Sequence, residues 1–331
     1  MCGCSAKGSV RGFLIRIVIG LGMTIFSMSL MSQSYPSQSV RMIVGDPPGG
    51  VTDLAARIIQ TKLAESLGQQ VLIENRPGGT GAIAATLVAR ATPDGYTLFM
   101  SNSGSLVMNP FLQPNLQYDP IKSFTHVAPI SASAFAVAVH PSVPAKDLRE
   151  LIALVRESPG KFSYASSGNG TVPQLLGEWI KSVAKVTITH VPYKGGAAAM
   201  QDLVAGHIPI GMVAVSAAQP NVRAGRIRVL AVSTTKRLPF ELTWPTIEET
   251  FPGVTSTLWV GLVAPAGTPR EVILRLNGAI QRILREADIR ERFNAAGAEV
   301  MPGPPEGLLN LIRDESQSYL PLVRQLNIRS D

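Results

Sequence analysis

Two adjacent glycines, Gly49 and Gly50, constrain the fold of this chain more than any other feature. Before them, residues 40–44 are short, apolar and β-branched, which predicts a buried strand. After them, apolar side chains recur at helical spacing up to Leu67, and Gly68 stands where a helix C-terminus favours glycine. The stretch therefore predicts a strand, a glycine loop and the N-terminus of a helix.

The start of this helix predicts a ligand site. Thr52 and Asp53 are placed to cap its first turn, and free N–H groups at a helix N-terminus suit an anion. The two glycines leave the backbone open to a ligand. Glycine at a strand-to-helix turn is also common in any α/β protein, so this stretch alone leaves two interpretations open, a ligand contact and a plain turn.

The same pattern recurs along the chain. A second loop rich in glycine and hydroxyl groups, residues 166–171, follows a predicted strand, and Pro173 suits the first turn of the next helix. The alternation of strands and helices predicts an α/β fold with a parallel sheet covered on both faces. The strands are predicted at residues 40–44, 71–74, 97–100, 127–139, 162–165, 187–191, 208–213, 227–232 and 259–264.

The repetition also predicts two domains. The first domain comprises residues 35–131 and 256–331, which include a returning strand and a helical C-terminal tail, and the second comprises residues 132–255. Two crossings between the domains imply a hinge, so a ligand in the cleft would face loops from both halves.

Residues 1–34 are predicted to be a signal peptide rather than part of the fold. Lys7, Arg11 and Arg16 precede an apolar run, and Ser32-Gln33-Ser34 offers a cleavage site, whereas an uncleaved anchor is the alternative. The net charge of +7 includes these three cations, which leaves +4 on the remainder. Scattered basic residues and this mild charge do not favour nucleic acid. Both cysteines also lie in the leader, so disulfides and thiol chemistry are not expected in the mature chain.

The sequence contains no motif typical of a metal site, a dinucleotide site or a catalytic site. The four histidines share no metal-ligand spacing, and the glycine pattern at residues 79–84 is not followed by the acidic residue that a dinucleotide site needs. No nucleophile–base motif is present. We therefore expect no cofactor, no metal and no catalysis.

Ordered motifs along the chain carry a family resemblance. The chain resembles the extracytoplasmic solute-binding proteins of tripartite tricarboxylate transporters, also called the Bug family, from Tyr35 to the C-terminus. The main motifs are Pro47-Pro48-Gly49-Gly50, Glu74-Asn75-Arg76-Pro77-Gly78, Pro93-Asp94-Gly95-Tyr96, His140-Pro141-Ser142-Val143-Pro144, His190-Val191-Pro192-Tyr193-Lys194-Gly195-Gly196 and Ala264-Pro265-Ala266-Gly267-Thr268-Pro269.

The resemblance implies a two-domain periplasmic binding protein of type II, a Venus flytrap. In that family, backbone amides and ordered waters from two facing loops grip a small carboxylate, and the two loops map to residues 49–53 and 166–171. The candidate ligand-binding residues are Asp46, Gly49, Gly50, Val51, Thr52, Asp53, Ser101, Ser103, Ser167, Gly168, Gly170, Thr171, Gln174 and Lys194.

The chain departs from the family pattern at four positions. The family usually has an aromatic residue at Asp46 and serine at Val51, often histidine at Gln174, and commonly an acid near Ala214. Asp46 either repels a dicarboxylate, pairs with a cationic group of the ligand, or caps the loop and points away. For Lys194, a cleft contact and an exposed loop position are both open.

These observations predict a periplasmic receptor, expected to be a monomer, that binds a small carboxylate and presents it to membrane transporter subunits. The alternative is a ligand-responsive sensor or adaptor for a signalling partner. A periplasmic enzyme is the third and least supported hypothesis, because the sequence has no catalytic constellation.

Overall fold

A computed structural model of the protein describes residues 1–3, 35–326 and 328. The chain forms two compact units, Met1–Ser37 and Gln38–Asp331. All helices and strands below belong to the second unit. The predicted signal peptide and its cleavage site lie outside the described residues, apart from residues 1–3.

The first part of this unit alternates strands and helices as predicted. Gly68 ends the first long helix in the left-handed conformation (φ 72°), and its N–H donates to the carbonyl of Ala64. A π-helical turn, Gly104–Met108, was not predicted. The elements are β1 (Val40–Val44), α1 (Val51–Leu67), β2 (Val71–Asn75), α2 (Ala82–Ala89), β3 (Thr97–Asn102) and α3 (Asn109–Leu112).

The middle of the chain repeats the alternation, and the last part is mainly helical. The middle elements are β4 (Phe124–Val139), α4 (Leu148–Glu157), β5 (Ser163–Ser166), α5 (Val172–Ala184), β6 (Thr189–Pro192), α6 (Gly196–Ala205), β7 (Ile210–Ala214), α7 (Val215–Arg223) and β8 (Arg228–Val232). The last are β9 (Thr257–Pro265), α8 (Arg270–Ile283), α9 (Ala287–Ala295), β10 (Ala298–Val300) and α10 (Pro305–Gln325). The sequence did not predict α9, which buries only Ile289 and Phe293.

The strands form one mixed sheet in the order β2-β1-β3-β9-β4-β7-β5-β6, with β8 and β10 paired to β4. The predicted parallel pairing is found for β1 with β2 and β3, and for β5 with β6 and β7. By contrast, β9 runs antiparallel to β3 and β4. Strand β4 joins the two halves, because residues 124–134 pair with β9 and residues 135–139 pair with β7.

The buried side chains form separate clusters along this sheet. One cluster draws on the first and last parts of the chain, including Ile43, Phe99 and Trp259. Two others draw on residues 134–254. Leu175 of α5 is fully buried and belongs to the first cluster, whereas Val172 and Leu176 belong to one of the others, so the start of α5 packs on both cores.

Within the described residues, no helix combines the length and the apolar character that crossing a membrane requires.

Candidate functional site

The first glycine loop, residues 45–50, connects the carboxyl end of β1 to α1. Its conformation is fixed by Asp46, whose Oδ2 accepts a hydrogen bond from the Thr52 N–H at 3.0 Å. The side chain lies against Gly50, where a Cβ would stand 2.9 Å from the Asp46 Cβ. The cap predicted from Thr52 is therefore supplied by Asp46, and the carboxylate occupies the positive end of the helix.

Thr52 instead joins a buried polar cluster at the end of β3. The Asn102 Nδ2 donates to Thr52 Oγ1 at 2.8 Å and to Asp46 Oδ1 at 3.3 Å. Burial raises the pKa of Asp46, and the hydrogen bonds from Thr52 and Asn102 only partly offset this. Thus Asp46 is a carboxylate held by amide and hydroxyl groups.

Asp53 is the second carboxylate of the first loop. Its Oδ2 accepts from the Gly49 N–H and from Arg57 Nε, both at 2.8 Å, and its Oδ1 accepts from Asn75 Nδ2 at 2.9 Å. Burial alone would raise the pKa of Asp53, but these donors outweigh it and lower the pKa. Because Asn75 also donates to the carbonyl of Asp46 at 3.0 Å, it ties the end of β2 to the loop.

Two predicted serines lie near the carboxyl end of β3. Ser101 is buried and donates to the carbonyl of Gly261 at 2.7 Å, which ties β3 to β9. Ser103 is also buried, and its Oγ has no hydrogen-bond partner among the described residues. Val51 is partly buried at the first position of α1.

The second loop, residues 166–171, is organised by hydrogen bonds to its own side chains. Ser166 Oγ accepts from the Gly168 N–H at 3.2 Å, and Thr171 Oγ1 donates to the Gly168 carbonyl at 2.7 Å. Gly168 and Gly170 have φ angles of 135° and 71°, which favour glycine. Because the Thr171 hydroxyl turns back to Gly168, it makes no side-chain cap at the N-terminus of α5.

A chain of hydrogen bonds through Gln174 and His190 holds this loop in place. The Gly170 N–H donates to Gln174 Oε1 at 2.7 Å, Gln174 Nε2 lies 3.3 Å from His190 Nδ1, and His190 Nε2 lies 2.7 Å from Ser166 Oγ. With its Oε1 accepting from Gly170, Gln174 presents a donor to Nδ1. Therefore His190 is neutral, with its proton on Nε2 and directed to Ser166. Burial lowers the pKa of His190, which favours this neutral form.

Tyr164 packs against the imidazole ring of His190. Its ring stacks on His190 with centroids 4.9 Å apart, and its hydroxyl donates to Glu178 Oε1 at 2.8 Å. Gly177 lets α5 pass this ring closely, since a Cβ there would stand 2.4 Å from Tyr164 Cε2. His190 is thus fixed on both its edge and its face.

The loop after β6 lies beside the second loop. The Tyr193 N–H donates to the Ser166 carbonyl at 3.1 Å, and the Gly195 N–H donates to the Ser167 carbonyl at 3.2 Å. Lys194 stands between these two contacts, and it is exposed. The structure therefore brings Ser167, Gly168, Gly170, Thr171, Gln174 and Lys194 into one neighbourhood, and Asp46, Gly49, Gly50, Val51, Thr52 and Asp53 into another.

His190 and Asn102 were not among the predicted site residues, and Ser166 was predicted only as the first residue of the second loop. Tyr164 is paired with His190 in the parallel β5–β6 register, and Ser166 lies two residues beyond Tyr164 on the same face. Sequence spacing does not reveal that register. The only local signal was the position of His190 directly before a glycine loop.

Solved structures of similar fold define the class of this protein. The R. palustris protein solved with adipate is 33% identical, has a TM-score of 0.85, and aligns over 90% of this chain and 100% of its own. MatC from Rhodopseudomonas palustris, solved with bound malate, is 33% identical with a TM-score of 0.80, over 87% of this chain and 100% of its own. The chain has the fold of periplasmic binding proteins, and the predicted fold class is confirmed. The domain boundaries stay a prediction.

Sequence comparison gives the family. The model of the tripartite tricarboxylate transporter family receptor matches residues 55–328. A UPF0065 protein of Pseudomonas sp. (strain P51) is 35% identical over 322 residues, covering 96% of this chain and 95% of its own. The BugT protein of Bordetella pertussis is 31% identical over 296 residues, covering 89% and 91%. The chain belongs to the tripartite tricarboxylate transporter receptor family, as the sequence motifs predicted.

Proposed function

We propose that this protein is a periplasmic receptor that captures a small carboxylate between its two glycine loops and presents it to a tripartite tricarboxylate-type membrane transporter. The observation that carries the proposal is the second loop. Its glycine backbone is fixed by Ser166, Gln174 and His190, while the N-terminus of α5 has no cap from its own threonine. Preorganised N–H groups at such a helix terminus suit a carboxylate.

Two further observations support the proposal. Relatives of the same fold were solved with adipate and with malate, which are both small dicarboxylates. The first turn of α5 packs through Leu175 on the core of the first half, so the second loop approaches that half.

In this proposal the halves move about the strands that connect them. Residues 35–131 and 256–331 form one lobe, and residues 132–255 form the other, in agreement with the separate clusters of buried side chains. Strand β4 and the segment entering β9 then serve as the hinge. A ligand that contacts both lobes favours the closed form, which the transporter recognises.

A thermal-shift screen of small carboxylates tests the binding step, because a ligand that binds only the native state raises the apparent stability. Gly170→Ala is the site variant, and Gly160→Ala is its matched control. The two glycines have φ angles of 71° and 77°, so both variants carry similar backbone strain, but Gly160 lies outside the loop. We expect ligand-induced stabilisation in the native protein and the control, and its loss in Gly170→Ala. Equal responses of the two variants, or no response to any carboxylate, would contradict the proposal.

The transport step is tested separately. A strain lacking the gene should lose uptake of the carboxylate identified in the screen, and the native gene should restore it. Undiminished uptake would favour a sensor or adaptor over a transport receptor.

A further inference from the structure

The first loop already holds carboxylates of the chain itself. Asp46 accepts from the Thr52 N–H at 3.0 Å, and Asp53 accepts from the Gly49 N–H at 2.8 Å. The Gly50 N–H donates to the Pro47 carbonyl at 3.0 Å. The amides of Gly49, Gly50 and Thr52 at the start of this helix are therefore occupied.

The charge balance of this loop also opposes an anion. Asp53 is paired with Arg57, whereas Asp46 forms no ion pair in the described part of the chain. Asp46 Oδ1 accepts a long hydrogen bond of 3.3 Å from Asn102, and a carboxylate oxygen accepts more than one hydrogen bond. The Asp46 residue is partly exposed, next to the exposed Pro47 and Pro48. Asp46 therefore has the capacity to accept a further donor, and it lies at the border between the buried end of β1 and the exposed prolines.

The second loop has the opposite character. Residues 166–174 contain no acidic side chain, and Thr171 does not cap α5. Lys194, in the adjoining loop, adds a positive charge next to residues bonded to Ser166 and Ser167. The two loops therefore differ in charge, with an anion that forms no ion pair among the described residues in the first and an exposed cation beside the second.

We infer that the ligand is a zwitterionic monocarboxylate, whose carboxylate binds at the second loop and whose ammonium group is accepted by Asp46. This inference rests on the proposed function. It makes Asp46 a specificity-determining residue that selects against dicarboxylates, since a second carboxylate would meet a like charge and occupied amides.

Calorimetry with matched chain lengths tests the inference. The probes are butanoate, 4-aminobutanoate and succinate, and then hexanoate, 6-aminohexanoate and adipate, so that within each series only the distal group changes. We expect the amino acid to bind at least about tenfold more tightly than the diacid, a difference of about 1.4 kcal/mol. In Asp46→Asn, that preference should fall at least about tenfold.

Two further variants keep the test interpretable. Asp46→Ser removes the charge with a smaller side chain if Asp46→Asn disturbs the loop. Asp94→Asn is the control, because Asp94 also accepts a local backbone N–H, from Tyr96 at 2.9 Å, but lies in an exposed turn outside both loops. The control should keep the native preference.

The outcomes separate this inference from the proposed function. If a diacid binds as tightly as its amino acid, or if the preference survives in Asp46→Asn and Asp46→Ser, the inference is overturned while the receptor function stands. Binding of none of the six probes also overturns the inference. The proposed function is refuted separately, by the wider carboxylate screen and by its comparison of Gly170→Ala with Gly160→Ala.

Discussion

Replacing Gln174 by leucine should weaken the second loop in a way that the structure allows us to estimate. The substitution keeps a similar volume but removes the side-chain amide, with both its oxygen acceptor and its nitrogen donor. The Gly170 N–H loses its acceptor at 2.7 Å, and His190 Nδ1 loses its donor at 3.3 Å. Gln174 is 8% exposed, so water has little access to the groups left behind.

The expected magnitude follows from these two unpaired groups. A buried donor or acceptor without a partner costs about 1–3 kcal/mol. The Gly170 amide makes the shorter contact and sets most of the effect, so the free energy of unfolding should fall by about 1–3 kcal/mol. Carboxylate affinity should fall with it, because the loop amides lose their fixed direction. Chemical denaturation and calorimetry measure the two quantities.

Gln174→Glu is the informative companion variant. One carboxylate oxygen still accepts from the Gly170 N–H, and the other faces His190 Nδ1, which must now carry a proton. The change should therefore raise the pKa of His190, whereas burial lowers that pKa in the native protein. NMR titration of the imidazole reports this directly.

The two proteins should respond to pH in opposite directions. In the native protein the folded pKa of His190 is below the unfolded value of about 6.5, so its contribution to stability is present above that pH and is lost as the pH falls. In Gln174→Glu the folded pKa is above the unfolded value, so the contribution is present below about 6.5 and is lost as the pH rises. If Gln174→Leu is as stable as the native protein, or if Gln174→Glu keeps the native pH dependence, the assigned network is wrong.

Three other predictions concern packing and a buried acid. Gly50→Val should displace the Asp46 side chain, since the new Cβ would stand 2.9 Å from the Asp46 Cβ, and should lower the affinity for the ligand at least about tenfold. Unchanged binding in calorimetry would show that this loop is only a turn. Gly177→Ala would place a Cβ 2.4 Å from the Tyr164 ring and should lower the free energy of unfolding by about 1–3 kcal/mol. Adding Tyr164→Leu to this variant should recover part of the loss. Strictly additive losses in denaturation experiments would contradict a direct contact between the two residues. Burial raises the pKa of Glu315 from its usual 4.5 to about 7. The protonated carboxyl group therefore stabilises the fold at low pH, and the free energy of unfolding should fall by up to about 3 kcal/mol as the pH rises from 4.5 to 7. Denaturation of Glu315→Gln should show a flatter profile across that range, and an unchanged profile would contradict the assignment.

The sequence alone determined the order of the elements and the positions of both glycine loops. Apolar periodicity reports which face of a segment is buried, and β1, α1, β5 and α5 were predicted within a few residues of their bounds. Glycine marks turns for a local reason, because the left-handed backbone of Gly68, Gly168 and Gly170 is costly for other residues. The family motifs lie in these same loops, so fold class and family were predicted together.

Tertiary structure decided which groups meet. Thr52 was predicted to cap α1, but Asp46 does so, because the loop folds back and places a carboxylate at the Thr52 amide. The β5–β6 register sets His190 beside Tyr164 and within reach of Ser166, although more than twenty positions separate the serine and the histidine in sequence. Periodicity encodes burial one segment at a time, whereas hydrogen-bond partners depend on strand register and loop closure, which arise only when distant segments pack.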